Sequence, residues 1–158
     1  MLRQRRQPQP ALEERELIPS SATSSSDGMM SWWSHHIPDN ALTENEDEIW
    51  NAGRFAPASI RFEFDTHIRC TRIDLLPCME PKSGHVVHEI RAGSDVFRFS
   101  GRATDRRWIQ AELSPEGQRA KTIEIHTLES PSWVAWRQVR FWTTINYHPA
   151  STQHPAAR

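Results

Sequence analysis

A chain of 158 residues suffices for one domain with a core that needs no disulfide or metal staple. With 19 basic against 20 acidic side chains the net charge is −1, which leaves no electrostatic case for nucleic acid as the main partner. Seven Trp against one Tyr stand out in a composition only 37% hydrophobic, and no run approaches the roughly 20 apolar residues of a membrane span.

Residues 1–16 are charged and rich in Gln and Pro, too poor in large apolar groups to offset the entropy of ordering. They read as a flexible N-terminal arm. Within it, residues 11–17 would form at most a turn or two of helix against a partner. The basic start has no apolar segment behind it, so no conventional secretion signal is expected, and a cytoplasmic or particle-associated location is the expectation.

From residue 17 the pattern changes to short runs of period two. Residues 59–65 set Ile60, Phe62 and Phe64 on one face and Arg61 and Glu63 on the other. A second strand is expected over 68–76, with Ile73 and Leu75 inward. Residues 88–92 stop at Gly93 and 96–100 stop at Gly101. Residues 108–113 alternate again before the turn residues Ser114-Pro-Glu-Gly117. Residues 122–127 place Ile123 and Ile125 inward, and 136–142 place Val139 and Phe141 on one face. The domain is expected to span 17–145, with 146–158 a disordered tail rich in Pro, His, Ala and Ser. Some seven strands with turn chemistry between them and no long helix predict an antiparallel sandwich, and a barrel of the same strand count has the same periodicity.

Cys70 and Cys78 are too few for a disulfide framework. They read as buried free thiols, or as one bridge closing the short segment between them.

The stretch Ala41-Leu-Thr-Glu-Asn-Glu-Asp-Glu-Ile-Trp-Asn-Ala-Gly53, followed by Pro57-Ala-Ser-Ile-Arg-Phe-Glu-Phe-Asp65, resembles the discoidin family: the coagulation-factor type C domains and related galactose-binding-like carbohydrate-binding modules. His88-Glu-Ile-Arg-Ala-Gly93, Trp108-Ile-Gln-Ala-Glu-Leu113, Lys121-Thr-Ile-Glu-Ile-His-Thr127 and Ser130-Pro-Ser-Trp-Val-Ala-Trp-Arg-Gln-Val139 follow in the family's order. Residues 18–26 fit its Ser-rich first strand, so the likeness spans about 17–143. It implies an all-β, antiparallel jelly-roll β-sandwich with ligand loops at one end. Sugar-binding relatives hold a structural calcium ion where this chain has Thr43, Glu44 and Gln138. Glu44, Glu46 and Asp47 are the carboxylates left to ligate one here.

Under that resemblance the binding rim comprises Trp32, Trp33, His35, Arg54 and Trp133. A tryptophan face stacks on the C–H face of a sugar ring, and an arginine donates paired hydrogen bonds. Trp50 and Trp108 are expected in the core. Trp133 and Trp136, three apart, are expected to divide into one half-exposed and one buried ring. His35, His36, His85 and His88 lack zinc-ligand spacing and read as surface or loop residues.

No nucleophile elbow, phosphate-cradling glycine loop or zinc signature is present, so no enzyme is expected. Two functions remain. One is a module recognising a glycan or saccharide through rim loops, with no cofactor beyond calcium. The other is an intracellular or particle-associated adaptor, a subunit of a larger assembly, binding protein partners through the same rim and an arm carrying Leu12 and Leu17.

Overall fold

A computed structural model describes residues 11–25, 36–113 and 118–147 of the chain. Among the described residues, ten strands and one 3-10 turn make up the regular structure: β1 (Ala11–Leu17), β2 (Ser21–Ser24), the turn Pro38–Leu42, β3 (Trp50–Asn51), β4 (Ala58–Cys70), β5 (Arg72–Pro77), β6 (Ser83–Ala92), β7 (Asp95–Thr104), β8 (Ile109–Glu112), β9 (Gln118–Glu129) and β10 (Ala135–Tyr147). Two antiparallel sheets face each other. One runs β1-β10-β5-β8, with β3 also on β10, and the other runs β2-β4-β9-β6-β7. The all-β sandwich expectation holds, and the barrel is excluded because the sheets do not close on each other.

Alternation put the right side chains inside. Ile60, Phe62, Ile73, Leu75, Ile123, Ile125 and Phe141 are wholly enclosed, and Trp50 and Trp136 nearly so. Phe141 of β10 meets Phe62 and Phe64 of β4 edge to face, at centroid separations of 4.9 and 5.3 Å. These contacts lock the sheets together, each worth about 1 kcal/mol beyond the area it buries.

Residues 68–76 are not one strand. β4 ends at Cys70 in one sheet and β5 begins at Arg72 in the other, so the chain changes layer at Thr71. The Thr71 N–H and hydroxyl both donate to the Trp142 carbonyl, and its own carbonyl accepts from the Leu113 N–H. A period-two pattern cannot register such a step, because both halves face the same core. The crossing also settles the cysteines. They stand beyond opposite ends of six-residue β5, a span of about 20 Å, far outside the roughly 7 Å limit for a disulfide. Both thiols are free, and burial pushes that of Cys70 up to about 12.

The arm assignment requires correction over 11–16. These residues form strand β1, paired with β10 from Ala11↔Tyr147 to Leu17↔Phe141, and no helical turn forms there. Composition misled because an edge strand needs only backbone partners on one side, not an apolar face. Arg72 adds side-chain anchors. Its guanidinium pairs with Glu14 and with Asp74 and lies over the Trp142 ring at 5.2 Å. The Ser-rich first strand is correspondingly a second strand, limited to Ser21–Ser24. At the other end, Asn146 and Tyr147 belong to β10. Residues 1–10 and 148–158 lie outside the described residues.

Candidate functional site

Strand register brings four connections to one end of the sandwich. Ala58 pairs with Thr127, Trp136 with Pro77, Leu75 with Ile109, Ser83 with Thr104, and Ala135 with Asn51. The β3–β4, β5–β6, β7–β8 and β9–β10 loops therefore all emerge at that end.

The β9–β10 loop carries Trp133, half-buried, and is tied on both sides. Ala52 N–H donates to the Val134 carbonyl at 2.8 Å, and Val134 N–H donates to the Arg54 carbonyl at 3.0 Å. Between them Gly53 turns at φ 68°, in the left-handed region that glycine enters without steric cost, and its N–H donates to Asn51 Oδ1. Phe55, 55% exposed, meets the Trp133 ring edge to face at 5.8 Å. The expectation that Trp133 and Trp136 would divide holds. Trp133, however, sits in the loop before β10, so loop geometry and not strand alternation sets its exposure.

On the other flank, Ser132 Oγ accepts from the Glu80 N–H at 3.0 Å and donates to the Trp133 carbonyl at 3.1 Å. Asp105, in the tight β7–β8 connection, accepts the Met79 N–H at 2.9 Å and holds Arg137 by two hydrogen bonds, Nε to Oδ1 at 3.2 Å and Nη2 to Oδ2 at 3.4 Å. Arg137 Nη1 then donates to the Glu46 carbonyl at 2.9 Å. A cleft of about 370 Å³ opens between Asn51, Glu80, Asp105, Ser132, Trp133 and Arg137, with Cys78 and Met79 also lining it. Burial raises the Cys78 thiol above its ordinary pKa, so it is protonated at neutral pH.

This arrangement offers a surface for binding. Both Asp105 oxygens are occupied by structural donors, so the carboxylate is a brace for the Met79 loop and Arg137 and not a mobile acid or base. The aromatic ring, the amide of Asn51 and the charged groups instead offer a stacking face beside hydrogen-bonding partners.

Of the five rim residues expected, Arg54 and Trp133 come together at this end, Arg54 exposed and joined to the Trp133 loop through its backbone. Trp32, Trp33 and His35 lie outside the described residues. The flanking residues are anchored here, Ser25 N–H to the Ser59 carbonyl and Asn51 N–H to the His36 carbonyl. Asn51, Glu80, Asp105, Ser132 and Arg137 were not anticipated. Pro77-Cys-Met-Glu-Pro81 and Ser130-Pro-Ser132 carry turn chemistry, but nothing local says that these two loops adjoin.

Two further expectations need correction. Trp108 is 42% exposed, with Arg140 over its ring at 5.9 Å. On β8, Ile109 is the inward residue, so alternation turns Trp108 outward. His88 is not at the surface. It is buried, linked to Thr127 Oγ1 at 2.9 Å and packed 4.8 Å from the Trp136 ring. A register shift between Val87 and His88 buries Val86, Val87 and His88 in succession, which strict alternation forbids.

The calcium loop does not fit a metal. Among the described residues no group of three His, Cys, Asp or Glu side chains converges. Arg106 donates to Asp47 at 2.8 Å and to Glu46 at 3.4 Å, and Arg137 takes the Glu46 carbonyl. The Arg106 guanidinium holds the Asp47 carboxyl below its ordinary pKa. Asp47 Oδ1, Glu46 Oε2 and the Glu46 carbonyl, oxygens of the kind a hard divalent cation takes, are thus held by arginine, and Glu44 stands exposed outside these contacts.

No protein-family model matches the sequence, and no curated protein does. Solved structures do match. The family 32 module of Clostridium perfringens NanJ, solved with galactose, superposes with a TM-score of 0.63 at 14% identity, covering 83% of this chain and all of that one. The fold is that of the family 32 carbohydrate-binding modules. The family 32 module of AlyQ, solved with 4,5-unsaturated mannuronic acid, gives 0.63 at 16% identity over 80% of this chain and 97% of its own. A pectin-binding module gives 0.61 at 16% identity over 84% and 93%. At such identities the family 32 likeness is one of fold.

Proposed function

We propose that this chain is a non-catalytic saccharide-binding module whose ligand lies in the cleft against Trp133. The carrying observation is the placement of a half-exposed indole, backed by Phe55, on the wall of a cleft that also presents Asn51 and Glu80. A sugar ring is amphipathic in the matching sense, with axial C–H groups for the indole face and equatorial hydroxyls for charged and amide partners. Ligands of the structural neighbours, galactose and an unsaturated uronic acid among them, support this reading of the same fold. Arg54 is proposed to extend the rim, because its carbonyl accepts from Val134 N–H beside Trp133.

Titration calorimetry against neutral, anionic and cationic oligosaccharides tests the proposal. Expected is Kd-level binding to at least one class that is lost in Trp133→Ala while the circular dichroism stays unchanged. Absence of binding to every class, or binding indifferent to Trp133→Ala, overturns it.

A further inference from the structure

We infer that the cleft selects by charge, favouring a saccharide with a protonated amino group over neutral and uronic acid sugars, and that Glu80 is the specificity-determining residue. This rests on the saccharide reading of the cleft.

The ionisable carboxyl and guanidinium groups among the described lining residues are Glu80, Asp105 and Arg137. Arg137 spends Nε and Nη2 on Asp105 and Nη1 on the Glu46 carbonyl, and Asp105 is matched by it. These two cancel. Glu80 is left: exposed, and in no salt bridge among the described residues. Its backbone is held, since its N–H donates to Ser132 Oγ one residue before Trp133. A sugar stacked on Trp133 therefore sits beside a carboxylate that pairs with no cation among the described residues.

Nearby cations do not reverse the balance. Arg106 is tied to Asp47 and Glu46, Lys82 is exposed beyond Pro81, and Arg54 stands on the rim and does not line the cleft. A uronate in the cleft would face Glu80 with no unpaired cation among the described lining residues to receive it. An ammonium gains an ion pair and up to three hydrogen-bond donors toward Glu80 and Asn51.

The test uses the full chain at mildly acidic pH, where the sugar amine is protonated, with tetrasaccharides of glucosamine, N-acetylglucosamine and galacturonic acid. At low ionic strength the amine form is expected to bind up to about fivefold more tightly than the N-acetyl form, the scale of one exposed ion pair. The ratio should shrink toward one in high salt. Glu80→Gln should collapse that ratio even at low salt, and comparing ratios in the two proteins cancels any contribution of the acetyl group to stacking. An equal or inverted ratio in the native chain, a ratio that Glu80→Gln leaves intact, or galacturonate binding as tight as the amine overturns the inference. If Trp133→Ala still abolishes binding in those cases, the saccharide reading stands alone. If none of the three binds, that reading falls and this one with it.

Discussion

Arg137 and Asp105 face each other in a two-point ion pair at 3.2 and 3.4 Å, with side chains only 12% and 14% exposed. Through this pair β10, the β5–β6 loop, the β7–β8 connection and the acidic 43–49 loop share one anchor, because Asp105 also holds Met79 N–H and Arg137 also holds the Glu46 carbonyl. Removing one partner leaves a poorly solvated charge behind. Asp105→Ala is expected to cost about 3 kcal/mol in urea unfolding. A loss below about 1 kcal/mol would mean that the pair behaves as an ordinary surface contact.

The two tryptophans three apart should separate cleanly. Trp136 is enclosed against His88, and Trp136→Ala is expected to lose about 3–5 kcal/mol. Trp133→Ala removes a half-exposed loop ring and should shift stability by no more than about 1 kcal/mol. Thermal denaturation of the two variants checks this, and comparable losses would place Trp133 in the core.

His88 makes stability pH-dependent on the acid side. Desolvation lowers its pKa from 6.5 to about 4, so in that window the unfolded chain binds a proton that the folded chain does not. The contribution is complete above about pH 6.5, declines as pH falls from there to about 4, and levels off below. In all it is on the order of 3 kcal/mol. Urea unfolding across that range should show this slope in the native chain and lose it in His88→Leu. An unaltered slope would refute the assignment.

Arginine in place of metal predicts indifference to chelators. Glu46 and Asp47 are paired with Arg106, so neither EDTA nor added calcium should move the melting temperature or the affinity for a bound saccharide. Arg106→Ala should loosen the 43–49 loop, seen as faster amide exchange there. A calcium-dependent rise in melting temperature of the native chain would contradict the arginine-committed loop.

Arg72 should hold β1 in place. Arg72→Ala removes the links to Glu14 and to the Trp142 ring, so amides of Glu14 to Glu16 should exchange faster while β4 and β9 stay protected. Unchanged β1 protection would show that backbone pairing with β10 suffices.

Alternation along each segment determined that this is a β protein and which of Ile60, Phe62, Ile73, Leu75, Ile123, Ile125, Val139 and Phe141 point inward, because a period of two is a local property of the chain. Trp108 was legible by the same rule once Ile109 is taken as the inward residue. Three things were not local. β1 owes its order to β10, well over a hundred residues away in the chain; the change of layer at Thr71 is invisible to a pattern that serves one core from both sides; and the bulge at His88 breaks the rule that buries it. The cleft belongs to this second kind. Motif order pointed to Arg54 and Trp133, but Asn51, Glu80, Asp105, Ser132 and Arg137 became one site only when register brought four loops to one end of the sandwich. Side-chain periodicity is written in neighbouring residues, whereas a site assembled across loops is decided by which strands pair.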